Sequence, residues 1–233
     1  MRKFLWLASA GLLLAGFAPA QAADLGAGTP VVAPPATVSS GGNTFSAEFD
    51  AEFQESNSKT ASPKKGDVAD YYGKFTLGHT FENNVVISGF FQPQYDLHPG
   101  KTNLWREYVE GDIGYKIKMA DWFTLTPSAG IGGIFGDTGV TKNNPDAAYY
   151  AFYLAGDAKL SSSWTWNVFN VRYRDAFNYR WITPKVSTGL TYSLSKYAAL
   201  YGTVGFSWKD TGAPGNSGNP DKLNVGVGAK VNF

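Results

Sequence analysis

From Lys222 to the end of the chain the sequence obeys a strict period of two. Leu223, Val225, Val227, Ala229, Val231 and Phe233 fall on one face, and Lys222, Asn224, Gly226, Gly228, Lys230 and Asn232 fall on the other. Side chains alternate between faces only in a pleated strand, so this pattern excludes a helix. The run after Gly42 repeats it, with Phe45, Ala47, Phe49, Ala51 and Phe53 opposite Ser46, Glu48, Asp50, Glu52 and Gln54. Runs of this kind predict strands near 43–55, 69–81, 84–97, 104–118, 122–135, 147–160, 164–175, 181–194, 197–209 and 222–233. A soluble sandwich also alternates. What points elsewhere is a large apolar face repeated in strand after strand, with aromatics gathered near the strand ends.

The connections alternate in length. Short ones fall at Glu82-Asn83, Met119 to Asp121, Ser161 to Ser163 and Ser195-Lys196, and mostly longer ones at 56–68, 98–103, 136–146, 176–180 and 210–221. Lipid offers no hydrogen bonds to an open sheet edge, so a spanning sheet must pair its first strand with its last. The expected fold is therefore all-β: a transmembrane antiparallel up-and-down β-barrel of about 10 strands, with 8 or 12 as alternatives. Long loops then face out of the cell and both ends of the barrel chain face the periplasm. Trp105, Tyr71, Tyr95 and Phe135 fall near the outer strand ends, and Phe81, Phe123, Tyr115, Tyr192 and Phe233 near the periplasmic ends, as two aromatic girdles would require. Pro93, Pro127 and Pro184 each fall inside an expected strand and remove a ladder donor, which marks bulges or shortened strands. The run 164–175 is out of phase with itself: with Phe169, Val171 and Tyr173 outward, Trp166 and Val168 point inward. A bulge or a miscounted strand would explain it.

Ahead of the barrel, Arg2 and Lys3 precede the apolar run FLWLASAGLLLAGFA and the small-residue site Ala20-Gln21-Ala22. Such a run is shorter than the roughly 20 residues of a spanning helix, and a cleavage-like site follows it, so 1–22 reads as a secretory signal peptide. Residues 23–42 are rich in Pro, Ala, Gly and Ser and read as a flexible periplasmic leader, leaving 43–233 as the barrel. No other segment is apolar enough for a spanning helix. An exported chain with no cysteine has no disulfide framework, so a hydrogen-bonded sheet in lipid must supply its stability. With 20 basic against 19 acidic residues, nothing suggests nucleic-acid binding.

The terminal run KLNVGVGAKVNF resembles the end of small Gram-negative outer-membrane β-barrels of porin-like type, and the likeness extends over 43–233. A fainter similarity, through VRYRDAFNYR, is to monomeric oligogalacturonate-specific porins. The first resemblance implies a place in the bacterial outer membrane, contact with its lipid and lipopolysaccharide, and recognition by the barrel assembly machinery. It also implies that Phe233, Val231 and Ala229 belong to the assembly signal. The oligomeric state stays open.

One register points Glu48, Asp50, Glu52, Lys74, Arg106, Glu110, Asp112, Arg172, Arg174 and Lys185 into the lumen, together with Asp96, Lys116, Asp157, Lys159 and Lys230. These are the candidate pore-lining residues. Ten tilted strands give a backbone radius of roughly 10 Å, enough for ions or small solutes only. The acidic row on the first strand is expected beside Lys74 and Lys230, and glycines 114, 130, 132, 189, 205, 226 and 228 are expected to leave the lumen less filled. The reading is a narrow porin-like channel. A non-conducting structural or surface-display barrel is the alternative, and an outer-membrane hydrolase a remoter one. No catalytic set is expected, since His79 falls on the lipid face and His98, near Asp96, lacks an obvious further partner. No cofactor and no metal are expected either.

Overall fold

The computed structural model describes residues 42–55, 65–97, 104–136, 147–178, 181–208 and 221–233. The signal peptide, the leader up to residue 41, His98 and most of the long connections lie outside the described residues. Eleven strand segments follow one another: β1 (Gly42–Gln54), β2 (Val68–Thr80), β3 (Val85–Asp96), β4 (Leu104–Tyr115), β5 (Ile117–Ala120), β6 (Phe123–Gly136), β7 (Ala147–Lys159), β8 (Trp164–Ala176), β9 (Lys185–Ser193), β10 (Ala198–Ser207) and β11 (Lys222–Asn232). Both β4 and β5 pair with β6, so together they form one stave and the barrel has ten. All pairings are antiparallel between neighbours in sequence, and β1 pairs with β11 from Thr44 opposite Asn232 to Gln54 opposite Lys222. The ring closes as the sequence requires, and the counts of 8 and 12 fall away.

The expected ladder breaks occur at the prolines, each in its own way. At Pro93 the β2–β3 ladder skips from Tyr72 opposite Gln94 to Phe75 opposite Phe91, while Pro93 still sits opposite Glu107 on β4. Pro127 pairs with Leu154 on one side; on the other, the β4–β6 ladder ends at Ser128 and the β5–β6 ladder starts at Leu125. A residue without an N–H thus sits where the fourth stave divides, and the single strand expected over 104–118 is two. Pro184 shortens the next case: β9 begins at Lys185, not at 181. The segment before it still donates from Thr183 N to Arg174 O and accepts from Trp208 N at Pro184 O, both at 2.9 Å.

The phase conflict in β8 is a bulge. Register shifts lie between Gly156 and Asp157 against β7 and between Asn167 and Asn170 against β9. Val168 is the extra residue, so Trp166 turns outward opposite Leu190 while Asn167 and Asn170 both face in. The Asn167 carbonyl accepts from the Thr188 hydroxyl at 2.8 Å, and Trp166 Nε1 donates to that hydroxyl at 2.9 Å. At the β2–β3 turn Asn84 takes φ 67°, a left-handed conformation that Asn tolerates, and Asn83 Oδ1 accepts from Val85 N at 3.2 Å.

The outer face is apolar all round. Leu77, Ile113, Ile131, Phe152, Leu200 and Val227 are exposed, Ile131 to 67 %. At about 25 cal/mol per Å² a belt of this extent cannot be left against water, and lipid is the medium that covers it. Trp105, Tyr71, Tyr95 and Phe135 are exposed toward the ends that carry the long connections. Phe81, Tyr115, Tyr192 and Phe233 are exposed toward the short turns, with Phe123 half-buried there beside Trp122. His79 lies near the same rim, its Nδ1 2.9 Å from Asn43 Oδ1 and its ring edge-on to Phe81.

Candidate functional site in the barrel lumen

The inward face carries the reverse chemistry. Its buried residues include Asp50, Gln54, Asp70, Gln92, Gln94, Asp96, Glu110, Arg174 and Asn224. Cross-strand register sets their neighbours: Glu48 lies opposite Lys74, Asp50 opposite Tyr72, Glu52 opposite Asp70, Gln94 opposite Arg106 and Arg172 opposite Lys185. Asp112 lies between Ser88 and Gly130 on the same inward row, nearer the short turns.

Three clusters organise the wall. In the first, Lys222 on β11 donates to Glu52 Oε2 at 2.9 Å and to Asp70 Oδ2, while Asn224 Nδ2 donates to Glu52 Oε1 at 2.9 Å. This cluster straddles the seam between the last strand and the first. In the second, an amide ladder on β3 runs from Gln92 to Gln94 to Asp96, at 3.3 and 2.9 Å, and ends in an ion pair with Arg106. In the third, the Arg174 guanidinium lies 3.6 Å from Glu110 and is ringed by Tyr149, Tyr108 and Trp181 at 4.6, 5.3 and 5.8 Å. Tyr153 also donates to Glu110. Trp181 comes from the segment ahead of β9, held by its N–H to Asp175 Oδ1 at 2.6 Å, and packs against Phe90, Tyr108, Ile134, Ala147 and Tyr149.

Two expectations change. Lys74 faces Glu48 across the ladder, but its ammonium sits 4.2 Å from the Phe90 ring centroid, and Lys230 lies opposite Ser46. Within the acidic row it is Glu52 that meets a cation, Lys222. The glycines do not simply open the lumen: a Cβ at Gly132 would lie 2.5 Å from the Tyr149 ring, and one at Gly228 would meet Tyr201. Neighbouring tyrosines occupy the space that glycine leaves.

Asp70 and Lys222 were not among the sequence candidates, although each shares the phase of one that was, Lys74 and Lys230. Both stand at a strand end, where the pattern merges into a connection. The inward tyrosines Tyr72, Tyr108, Tyr149, Tyr153 and Tyr201 were missed because a binary pattern counts tyrosine as apolar. Phe233, Val231 and Ala229 share the outward face, Phe233 being 68 % exposed.

A cavity of about 370 Å³ occupies the long-loop half of the lumen. Glu48, Lys74, Arg172 and Lys185 are on its wall with Gln92, Asn170 and Trp181. Bonds cross the lumen beside it: Lys185 Nζ on β9 donates to Tyr72 OH on β2 at 3.0 Å. Among the described residues no group of His, Cys, Asp and Glu side chains has metal-binding geometry.

A closed ring of ten antiparallel staves, apolar outside and charged inside, defines the class by fold: an up-and-down β-barrel whose outer face is made for lipid. Among solved structures it is similar to an outer membrane channel from Pseudomonas putida F1, with a TM-score of 0.52 at 8 % identity over 86 % of this chain and 98 % of that one. The beta domain of the Bordetella autotransporter Brka superposes with a TM-score of 0.50 at 9 % identity, over 83 % of this chain and all of that one. The KdgM porin aligns over 81 % of this chain and 99 % of its own at 14 % identity, with a TM-score of 0.40. No protein-family profile and no curated sequence matches the chain.

Proposed function

We propose that the protein is a narrow porin-like channel that passes ions or small solutes across the outer membrane, without enzymatic activity of its own. The observation that carries this reading is the cavity on the long-loop side, whose wall holds Glu48, Lys74, Arg172 and Lys185, none of them in a direct ion pair among the described residues. A lumen built only for rigidity has no reason to leave charges without a direct counter-ion in a confined, low-dielectric space, where they act strongly on a passing solute. The acidic residues stand on β1 and the basic pair on β8 and β9, so the field runs across the lumen.

Planar-bilayer recording of the refolded barrel tests the reading. Discrete conductance is expected, and the Arg172→Ser, Lys185→Ser double variant moves the reversal potential toward cations. Wild-type protein without discrete conductance would transfer the assignment to the structural barrel. That second reading draws its support from the Lys185–Tyr72 and Arg174–Glu110 contacts, which span staves that are not neighbours.

The same reading includes export by a cleaved signal peptide and recognition of the last strand by the assembly machinery through Phe233, Val231 and Ala229. Contact with lipid and lipopolysaccharide belongs to it as well. Phe233→Asp should then lower the outer-membrane yield, with Asn232→Ser as the tolerated control; equal yields would remove the signal role.

A further inference from the structure

The lumen charges divide into those that are neutralised and those that are not. Arg106, Arg174 and Lys222 each meet a carboxylate. Among the described residues, Arg172, Lys185, Glu48 and Asp50 form no direct ion pair. They are also arranged as two like-signed couples. Arg172 and Lys185 stand opposite one another on β8 and β9, a placement of like charges that costs stability, and the carboxylates of β1 act on Lys185 without touching it. Arg172 spends one donor on the Thr183 carbonyl at 3.3 Å, its Nε meets no acceptor, and Lys185 has the Tyr72 hydroxyl at 3.0 Å.

The other couple is on β1. Glu48 accepts from Thr203 at 3.0 Å and from Tyr201 at 3.3 Å; Asp50, 1 % exposed, lies beside Glu48 and Tyr72 with neither oxygen in a hydrogen bond of good geometry. Asp50 Oδ1, Glu48 Oε1 and Thr203 Oγ1 converge over Gly226, lying 2.5, 2.7 and 2.7 Å from the place its Cβ would take. Only a glycine lets them meet there. The residue best placed to neutralise Glu48, Lys74 opposite, leans onto Phe90 instead. Glu48, Arg172 and Lys185 line the same cavity.

We propose that this level of the lumen is a binding site for small zwitterions of amino-acid or dipeptide size, with the solute carboxylate at Arg172 and Lys185 and its ammonium at Glu48. A solute carrying one sign gains from one wall and is repelled by the other, whereas a solute carrying both is attracted by each. The cavity, at about 370 Å³, falls within the usual range for small-molecule sites. The inference deepens the channel reading and relies on it for passage of the solute, though not for binding.

Isothermal titration of the refolded barrel in detergent, paired with block of bilayer conductance, tests it with four molecules on one carbon chain: 4-aminobutyrate, butyrate, butylammonium and butyramide. 4-Aminobutyrate is expected to bind at least about tenfold tighter than the other three. Arg172→Gln with Lys185→Gln, and separately Glu48→Gln, should each remove that preference, with folding verified by gel mobility before and after boiling. Butyrate binding as tightly as 4-aminobutyrate, or no binding by any of the four, would overturn the proposal. Conductance without discrimination among the four sinks the site and leaves the channel standing. Calorimetric binding of 4-aminobutyrate without conductance supports the site and sinks the channel.

Discussion

Two of the cations inside this barrel, Lys222 and Arg174, are satisfied in opposite ways. Lys222 at the seam is a compact ammonium between two carboxylates, Glu52 and Asp70, with Asn224 completing Glu52. Arg174 on the far wall has one carboxylate, Glu110, and otherwise faces the rings of Tyr149, Tyr108 and Trp181. An ammonium is a strongly hydrated point charge and needs oxygens on all sides to leave water. A guanidinium is planar and weakly hydrated, so aromatic faces can cover it. The seam therefore carries a charge-dense lock, and the far wall a packed one. Only the second continues into a chain segment outside the staves, through Trp181.

The largest way to break the comparison is Lys222→Met. It leaves Glu52 and Asp70 facing each other without their cation, and removing one partner of a buried pair costs about 3–5 kcal/mol. Urea unfolding in lipid vesicles should show that loss, with a smaller one for Asp70→Asn, which keeps one pair. Equal losses would mean that Asp70 and not the ammonium organises the seam. Next in size is Arg174→Lys, which retains the charge but gives up the fork and the ring contacts, worth about 1–2 kcal/mol. The same substitution in reverse, Lys222→Arg, should be worse than neutral because the seam offers oxygens and no ring, and the unfolding midpoint would fall. Smallest in stability is Trp181→Ala. Its readout is conductance, which should rise as the long-loop half of the lumen widens. An unchanged conductance would detach Trp181 from the permeation path.

The staves were legible because lipid enforces alternation: a residue with the wrong polarity on the outer face has no water to rescue it. That is why the bounds of β1, β2, β6, β7 and β11 differ from the sequence reading by a residue or so. The bulge in β8 appeared only as a contradiction, Trp166 and Val168 out of phase, since one unpaired residue changes the phase without leaving a composition of its own. The lumen was half legible. Phase alone assigns a residue to the inside, so Arg172, Arg174 and Lys185 are found there. Phase does not say which charges meet, because contacts such as Tyr72 with Lys185 join staves far apart in sequence and depend on the curvature of the closed ring. The seam lock was missed for the simplest reason, that Asp70 and Lys222 sit at the strand ends.

The pairing of β1 with β11 also sets an order of events. Every stave between the first and the last finds both partners among its immediate neighbours in the chain, but β1 lacks one of its two until the last stave has been made. Until then its free edge, with Phe45, Phe49 and Phe53 along one side, is an adhesive strand edge. No partial product can be native, since removing the final dozen residues takes away the seam and Lys222 with it. The chain therefore stays unfinished in structure until β11 reaches β1, and that strand is the clasp of the ring.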